Sequence, residues 1–174
     1  MMNFGMGWIL DKKKIKKIAL ELLFMGIILF GVSNILSYIR KPTLDSNVLP
    51  QQSFQLIDGT EYTPKKGKPL LIHFWATWCG VCSMEAPNIQ RVSEKYEVLT
   101  IAVQSGTIAN IEAKMKKEEV HYRVVEDPEG LLSHQFKVSA FPTDFIYGSD
   151  GTLYSTDVGY TTTAGLLARM KLAE

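Results

Sequence analysis

The sequence predicts an α/β fold behind an N-terminal membrane anchor, and four stretches of the chain support this prediction. Residues 70–75 form a short, unbroken apolar run, typical of a strand covered on both faces, and residues 98–103 form a second. Between them, after Cys82, apolar residues recur at steps of three and four, which is the period of a helix. The fourth stretch, residues 18–39, is almost wholly apolar.

Residues 18–39 are long enough to cross a membrane as a helix. These 22 residues include one charge, Glu21, and at about 1.5 Å per residue they span about 33 Å. A buried core helix and a cleaved signal peptide are the alternatives. The lysine run before the stretch disfavours the first, and the lack of a small-x-small cleavage site after it disfavours the second. We therefore expect a transmembrane signal-anchor that is not cleaved.

Charge divides the chain into a basic N-terminal part and an acidic remainder. Residues 1–41 carry seven Lys and Arg against two acidic residues, and the rest carries twelve against sixteen, which argues against nucleic-acid binding. Five lysines precede the apolar stretch and only Arg40 and Lys41 follow it, so residues 1–17 are expected to be a cytoplasmic basic head. Residues 40–52 then form a linker, and residues 53–174 form a domain outside the cytoplasm. In a bacterium this is a single-pass inner-membrane protein with a periplasmic domain.

The first half of that domain is predicted from alternation and turn signals. Residues 53–57 alternate as a strand does, and Asp58-Gly59 is a hairpin turn leading into residues 61–62. A loop at residues 65–69 precedes the strand at 70–75. The helix after Cys82 is expected to end near Tyr96, ahead of the strand at 98–103.

The second half is predicted in the same way. An amphipathic helix follows residues 105–107, then a short strand at 122–125, a turn at 127–130 and a helical turn or two at 131–136. Residues 144–147 and 152–157 form an antiparallel hairpin around a turn at 149–151. Residues 161–163 offer an N-cap for a last helix at 164–172.

Cys79 and Cys82 are the only cysteines of the chain, and they lie where the first buried strand gives way to a helix. Two thiols at this spacing can close and reopen a disulfide within one turn. A thiolate at a helix N-terminus also faces unpaired N–H groups, which lower its pKa. A structural zinc site would need four ligands, and no second cysteine pair or His-x-His run is present. Copper(I), which two thiolates can hold alone, stays open as an alternative.

The sequence around the cysteines resembles the thioredoxin superfamily. The resemblance rests on Phe74-Trp75-Ala76, on Trp78-Cys79-Gly80-Val81-Cys82, on Pro87, and on Val138-Ser139-Ala140-Phe141-Pro142-Thr143. It implies a mixed central sheet flanked by helices, and a redox-active disulfide with no other cofactor. The membrane anchor, the N-terminal hairpin and the extra helix and strand before residue 131 are similar to the TlpA-like branch. Within that branch, Gly80-Val81 and Phe141 fit the ScsD-like protein disulfide oxidoreductases best.

The resemblance also implies roles for individual residues. Cys79 is expected to be exposed and to attack, while Cys82, one turn inward, is expected to be more buried and to resolve the mixed disulfide. Trp78 would shield the disulfide. Pro142 would be cis and Phe141 would line a groove where a substrate peptide pairs with the active-site loop.

Two further residues are candidates for proton transfer to Cys82. His73 occupies the position where thioredoxin carries a buried acid, and the alternative is a core histidine with one satisfied hydrogen bond. Glu85 lies three residues past Cys82 on the same helix face. An acid in a first helical turn is also common for dipole reasons alone.

These observations predict a thiol–disulfide oxidoreductase that acts on extracytoplasmic protein thiols and disulfides. Because Gly80-Val81 brings no charge or imidazole to hold a thiolate, the protein is expected to reduce disulfides, supplied with electrons by a membrane electron-transfer partner. A disulfide-forming oxidase and a copper(I)-binding or copper-stress protein are the alternatives.

Overall fold

The computed structural model describes residues 12–39, 41–42, 48–49 and 53–174, and these fall into two units, Met1–Leu36 and Ser37–Glu174. Helix α1, Lys12–Ile39, begins in the first unit, six residues before the predicted membrane span. Many of its large apolar side chains are exposed, among them Leu20, Phe24, Leu29 and Phe30. Within the described residues, no helix meets the combined length and hydropathy required of a membrane span.

The second unit is built on a five-stranded sheet. Its strands are β3 (Leu70–Trp75), β4 (Glu97–Val103), β5 (Arg123–Asp127), β6 (Thr143–Tyr147) and β7 (Leu153–Val158), in the spatial order β5-β4-β3-β6-β7. The strands β3, β4 and β5 are parallel, whereas β6 and β7 run antiparallel to their neighbours. The predicted mixed sheet is therefore confirmed. A separate hairpin pairs β1 (Phe54–Gln55) with β2 (Glu61–Tyr62).

Four helices cover this sheet: α2 (Gly80–Ser93), α3 (Ile108–Glu118), α4 (Leu131–Gln135) and α5 (Thr163–Leu172). The central strand β3 is buried along its whole length, as its unbroken apolar run predicts. Leu71 and Trp75 pack with α2, α3 and α5, while Ile72 and Phe74 pack with Phe136 after α4 and with the β1–β2 hairpin. His73 has the same parity as Leu71 and Trp75, so it faces the α2 side of the sheet.

Some boundaries differ from those predicted. Helix α2 ends at Ser93 rather than near Tyr96, because β4 already begins at Glu97, opposite Leu70 of β3. Strand β5 runs to Asp127, which the sequence places in a turn; Asp127 pairs with Val103 and also accepts hydrogen bonds from the first residues of α4.

Most of the predicted linker, residues 40–52, lies outside the described residues. Of its described members, Val48 forms an antiparallel bridge with Thr152, and the Leu49 backbone N–H donates to the Gly151 carbonyl at 2.9 Å. Leu49 is buried in the cluster that contains Phe54 and Tyr147. These two residues therefore pack on the domain.

Candidate active site

The two cysteines are joined by a disulfide bond at the N-terminus of α2. Cys79 is the N-cap residue, with extended backbone, and the helix begins at Gly80. The Cys82 backbone N–H donates to Cys79 Sγ at 3.1 Å, and the two Cα atoms are 5.3 Å apart. The Cys79 sulfur therefore occupies the place of a side-chain oxygen in an ordinary N-cap, where backbone N–H groups and the helix dipole favour negative charge.

Both cysteines are buried. Cys79 is 8% exposed and Cys82 3%, so the order of exposure agrees with the prediction, but the expectation of an exposed Cys79 is wrong for the residue as a whole. The reason is local: the Cys79 sulfur is turned onto the first helical turn, where it bonds to Cys82 and accepts from its N–H. The residues next to the disulfide in the chain, Trp78, Gly80 and Val81, are exposed.

The residues before Cys79 are held by the loop after β4. Thr77 donates its backbone N–H to Ser105 Oγ at 3.0 Å and its hydroxyl to the Ser105 carbonyl at 3.2 Å. Trp78 Nε1 donates to the Gln104 carbonyl at 3.2 Å. Three hydrogen bonds to two consecutive residues thus fix the backbone that leads into the disulfide.

Trp78 and Phe141 form an apolar rim beside the disulfide. Trp78 is 64% exposed, and its ring meets the half-buried ring of Phe141 edge to face, with centroids 5.7 Å apart. The Phe141–Pro142 peptide bond is cis, as the resemblance implies. Trp78, Phe141 and Pro142 therefore come together at the mouth of the site; a role in binding substrate stays a prediction.

On β3, the structure places His73 against an acid. His73 Nδ1 and Asp144 Oδ1 are hydrogen-bonded at 2.7 Å, and both side chains are 1% exposed. The two residues are cross-strand partners in the β3–β6 register. Among the described contacts of His73, this bond matches the alternative of a core histidine with one satisfied hydrogen bond. A proton relay from His73 to Cys82 stays a prediction.

Glu85 is completely buried on α2, three residues beyond Cys82. One of its oxygens accepts from the Thr161 backbone N–H at 2.7 Å. Burial, and next the nearby charge of Asp144, raise the pKa of Glu85 to about 9. The dipole alternative, an acid in the first helical turn, is wrong, since α2 begins at Gly80 and Glu85 lies beyond its first turn.

Comparison with known protein families identifies the family of this chain. The family model described as AhpC/TSA matches residues 42–156, which include both cysteines and Pro142. The chain belongs to the AhpC/TSA family.

Two relatives and one solved structure illustrate what this AhpC/TSA protein is similar to. A thioredoxin-like protein of Haemophilus influenzae is 28% identical over 165 residues, covering 92% of this chain and 98% of the relative. The thiol-disulfide oxidoreductase ResA of Bacillus subtilis is 29% identical over 107 residues, 59% of each chain. The crystal structure of StoA from Bacillus subtilis, at 23% identity, has a TM-score of 0.62 and covers 71% of this chain and 98% of that one. The thioredoxin-like fold is thereby shown, and these names agree with the TlpA-like resemblance of the sequence.

Several residues that shape the site of this AhpC/TSA protein escape sequence reasoning. Asp144 reads as an ordinary member of a hairpin strand, and only the β3–β6 register brings it to His73, 71 positions away. Thr161 reads as part of a capping sequence, but Thr162 is the N-cap of α5 and Thr161 binds Glu85. Ser105 carries a weak signal, because it lies with Gly106 in a short polar break after a buried strand.

The sequence predicts no structural zinc site and names no metal ligands outside the cysteine pair. Within the described residues, one group of three potential metal ligands exists, formed by His73, Glu85 and Asp144, with one ligand atom of each within 4.8 Å of the others. The cysteines are not part of it.

Proposed function

We propose that this protein is a thiol–disulfide oxidoreductase that is anchored in a membrane and reduces disulfide bonds of other proteins outside the cytoplasm. The observation that carries the reaction class is the disulfide between Cys79 and Cys82, the only two cysteines, at the N-terminus of α2. Relatives named as thiol-disulfide oxidoreductases support the same class.

In the reducing direction, the reduced pair transfers two electrons to the partner protein. The Cys79 thiolate attacks one sulfur of the partner disulfide, and the other partner sulfur leaves as a thiolate that takes up a proton. The Cys82 thiol then loses its proton and attacks Cys79 Sγ, which releases the second partner sulfur and closes the Cys79–Cys82 disulfide. A membrane electron-transfer partner must return two electrons before the next cycle.

The first turn of α2 supports the reducing direction. Gly80 and Val81 are exposed and carry no charge, so the Cys79 thiolate is stabilised by the helix terminus and the Cys82 N–H. Lys114 reaches this turn and donates to Ser83 Oγ at 2.8 Å, but it also pairs with Glu118 at 2.9 Å, which offsets its charge. Weak stabilisation of the thiolate favours a low reduction potential, closer to the about −270 mV of thioredoxin than to the about −120 mV of a strong oxidant. A disulfide-forming oxidase would need a strongly stabilised Cys79 thiolate and a high reduction potential.

Residues 18–39 are proposed as the single membrane span, with residues 1–17 in the cytoplasm and the domain of residues 53–174 in the periplasm of a bacterium. The exposed apolar side chains of α1 and the five lysines before the span support this placement. A reporter that is active only outside the cytoplasm should work when fused after Glu174. A matched reporter that is active only in the cytoplasm should fail there; the reverse pattern, or release of a soluble protein, would contradict the proposed anchor.

The Cys82→Ser variant tests the exchange mechanism. It should accumulate mixed disulfides with extracytoplasmic proteins, because Cys79 can still attack but cannot be resolved. Cys79→Ser is the matched control and should trap far fewer. If neither variant traps a partner, and the reduced wild-type protein binds copper(I) far more tightly than generic dithiols do, the copper-binding alternative replaces the reductase.

A further inference from the structure

A lysine of helix α3 reaches the first turn of α2, next to the disulfide. Lys114 Nζ donates to Ser83 Oγ at 2.8 Å, and Ser83 donates both its hydroxyl and its backbone N–H to the Cys79 carbonyl, each at 3.3 Å. The Lys114 ammonium is therefore no more than about 6 Å from the Cys79 carbonyl oxygen. A cation thus lies beside the residue whose sulfur carries negative charge once the disulfide is opened.

Lys114 also has a partner of opposite charge on its own helix. Its Nζ is 2.9 Å from Glu118 Oε1, one turn further along α3. The Lys114 side chain is 20% exposed and that of Glu118 11%, whereas Lys65 and Lys171, which also form ion pairs, are far more exposed. Glu118 Oε1 is buried and has no hydrogen-bond partner among the described residues. Lys114 therefore directs its hydrogen bond at α2, while the contact with Glu118 balances its charge.

Two buried titratable side chains border this region, and both are neutral at neutral pH. Tyr122, before β5, has its pKa raised by burial and next by the charge of Glu118. Glu85, on the next turn of α2, keeps its proton because burial above all raises its pKa to about 9. The charge that acts on the first turn of α2 therefore depends on how far Glu118 cancels that of Lys114.

We propose that Lys114 and Glu118 together set the reduction potential of the cysteine pair, with Ser83 as the positioning residue that holds the ammonium group at the first turn of α2. This inference rests on the disulfide exchange of the proposed function, but not on its direction. When the disulfide takes up two electrons and one proton, Cys82 becomes a thiol and Cys79 a thiolate. An unbalanced ammonium group would stabilise that thiolate and raise the potential; Glu118 cancels most of this effect.

Removing either member of the pair should therefore move the potential in opposite directions. An unbalanced unit charge roughly 10 Å from a thiolate changes its ionisation constant by about fivefold, at a dielectric between those of a protein surface and of water. Glu118→Gln should lower the pKa of Cys79 and shift the equilibrium with glutathione toward the dithiol by about this factor. Lys114→Met should shift it toward the disulfide by a similar factor, because Glu118 is then unbalanced. In the double variant the two changes should largely cancel.

The experiment equilibrates the full chain in detergent with glutathione buffers, at a pH where Cys79 is ionised, and follows thiolate absorbance against pH. Lys117→Met is the matched control. Lys117 is an exposed lysine in the last turn of α3, so its loss should change the equilibrium by less than about twofold. Lys114→Arg keeps the charge and should stay closer to wild type than Lys114→Met does. Ser83→Ala releases Lys114 from α2, so adding it to Glu118→Gln should reduce the shift toward the dithiol.

The proposal is overturned if Lys114→Met and Glu118→Gln shift the equilibrium in the same direction, as a loss of packing would, or if neither shifts it more than Lys117→Met does. An equal shift for Glu118→Gln with and without Ser83→Ala would refute the part assigned to Ser83. Should Lys114→Met fail to fold, Glu118→Gln decides, and no shift toward the dithiol refutes the proposal. Trapping by Cys82→Ser tests the exchange function separately; it can succeed while this proposal fails, and its failure leaves these equilibria measurable.

Discussion

Outside the cysteine pair, we expect Ser105 to be the residue that most strongly determines the geometry of the active-site loop, through the hydrogen bonds of its hydroxyl group. It is 4% exposed, its Oγ accepts from Thr77 N–H at 3.0 Å, and its hydroxyl donates to the Val103 carbonyl at 3.0 Å. Ser105→Ala removes both bonds and leaves the Thr77 N–H without its acceptor. A buried donor left without an acceptor costs about 1–3 kcal/mol; because Thr77 is only partly buried, the free energy of unfolding should fall by about 1 kcal/mol. The freed loop should also slow disulfide exchange, because Thr77 and Trp78 position Cys79.

Urea unfolding followed by tryptophan fluorescence measures the first effect, and the rate of reduction of a protein disulfide measures the second. Ser93→Ala is the matched control. Its hydroxyl donates only to the Gln90 carbonyl within the same helix, at 2.7 Å, so its loss should change stability by less than about 0.5 kcal/mol. Equal losses of stability for the two variants, or an unchanged exchange rate for Ser105→Ala, would refute the reasoning.

Two further predictions concern charge. Val81→His should lower the pKa of Cys79 and raise the reduction potential, because an imidazolium in the first turn favours the thiolate. Thiolate absorbance against pH measures the pKa, and equilibration with glutathione buffers measures the potential. A wild-type potential already near that of a strong oxidant would end the reductase proposal. Because the pKa of Glu85 is raised to about 9, the folded protein keeps a proton that the unfolded chain loses near pH 4.5, so stability should fall as pH rises between these values. Glu85→Gln should lack this fall in urea unfolding at several pH values, and parallel curves for the two proteins would contradict it.

The sequence predicts the order and type of the elements because local patterns determine them. The apolar run of β3 is buried throughout, and the period after Cys82 becomes α2. Boundaries are harder to predict where a polar side chain has a tertiary role. Asp127 reads as a turn residue, but it is a 3% exposed strand residue whose carboxylate caps α4.

The candidate active site also contains residues that could be predicted from the sequence and residues that could not. Cys79 and Cys82 could be predicted because two thiols at a strand–helix junction have few other uses. Asp144 could not, since its partner His73 lies 71 positions away and only the antiparallel pairing of β6 with β3 brings the two together. A single sequence gives strands but not their register, so buried polar contacts between strands are the last features to be predicted.

The distribution of charge around the disulfide suggests that its two sulfurs are controlled from different places. The rim next to Cys79 is uncharged and apolar, formed by Trp78, Val81 and Phe141. Close to the solvent, a charge added there would be screened and would act on the Cys79 thiolate alone. Glu85 instead lies in the interior, one helical turn beyond Cys82, where a change in one proton acts in a low dielectric. Changes at the rim should therefore alter the attack on partners, whereas changes at Glu85 should alter how the resolving step depends on pH.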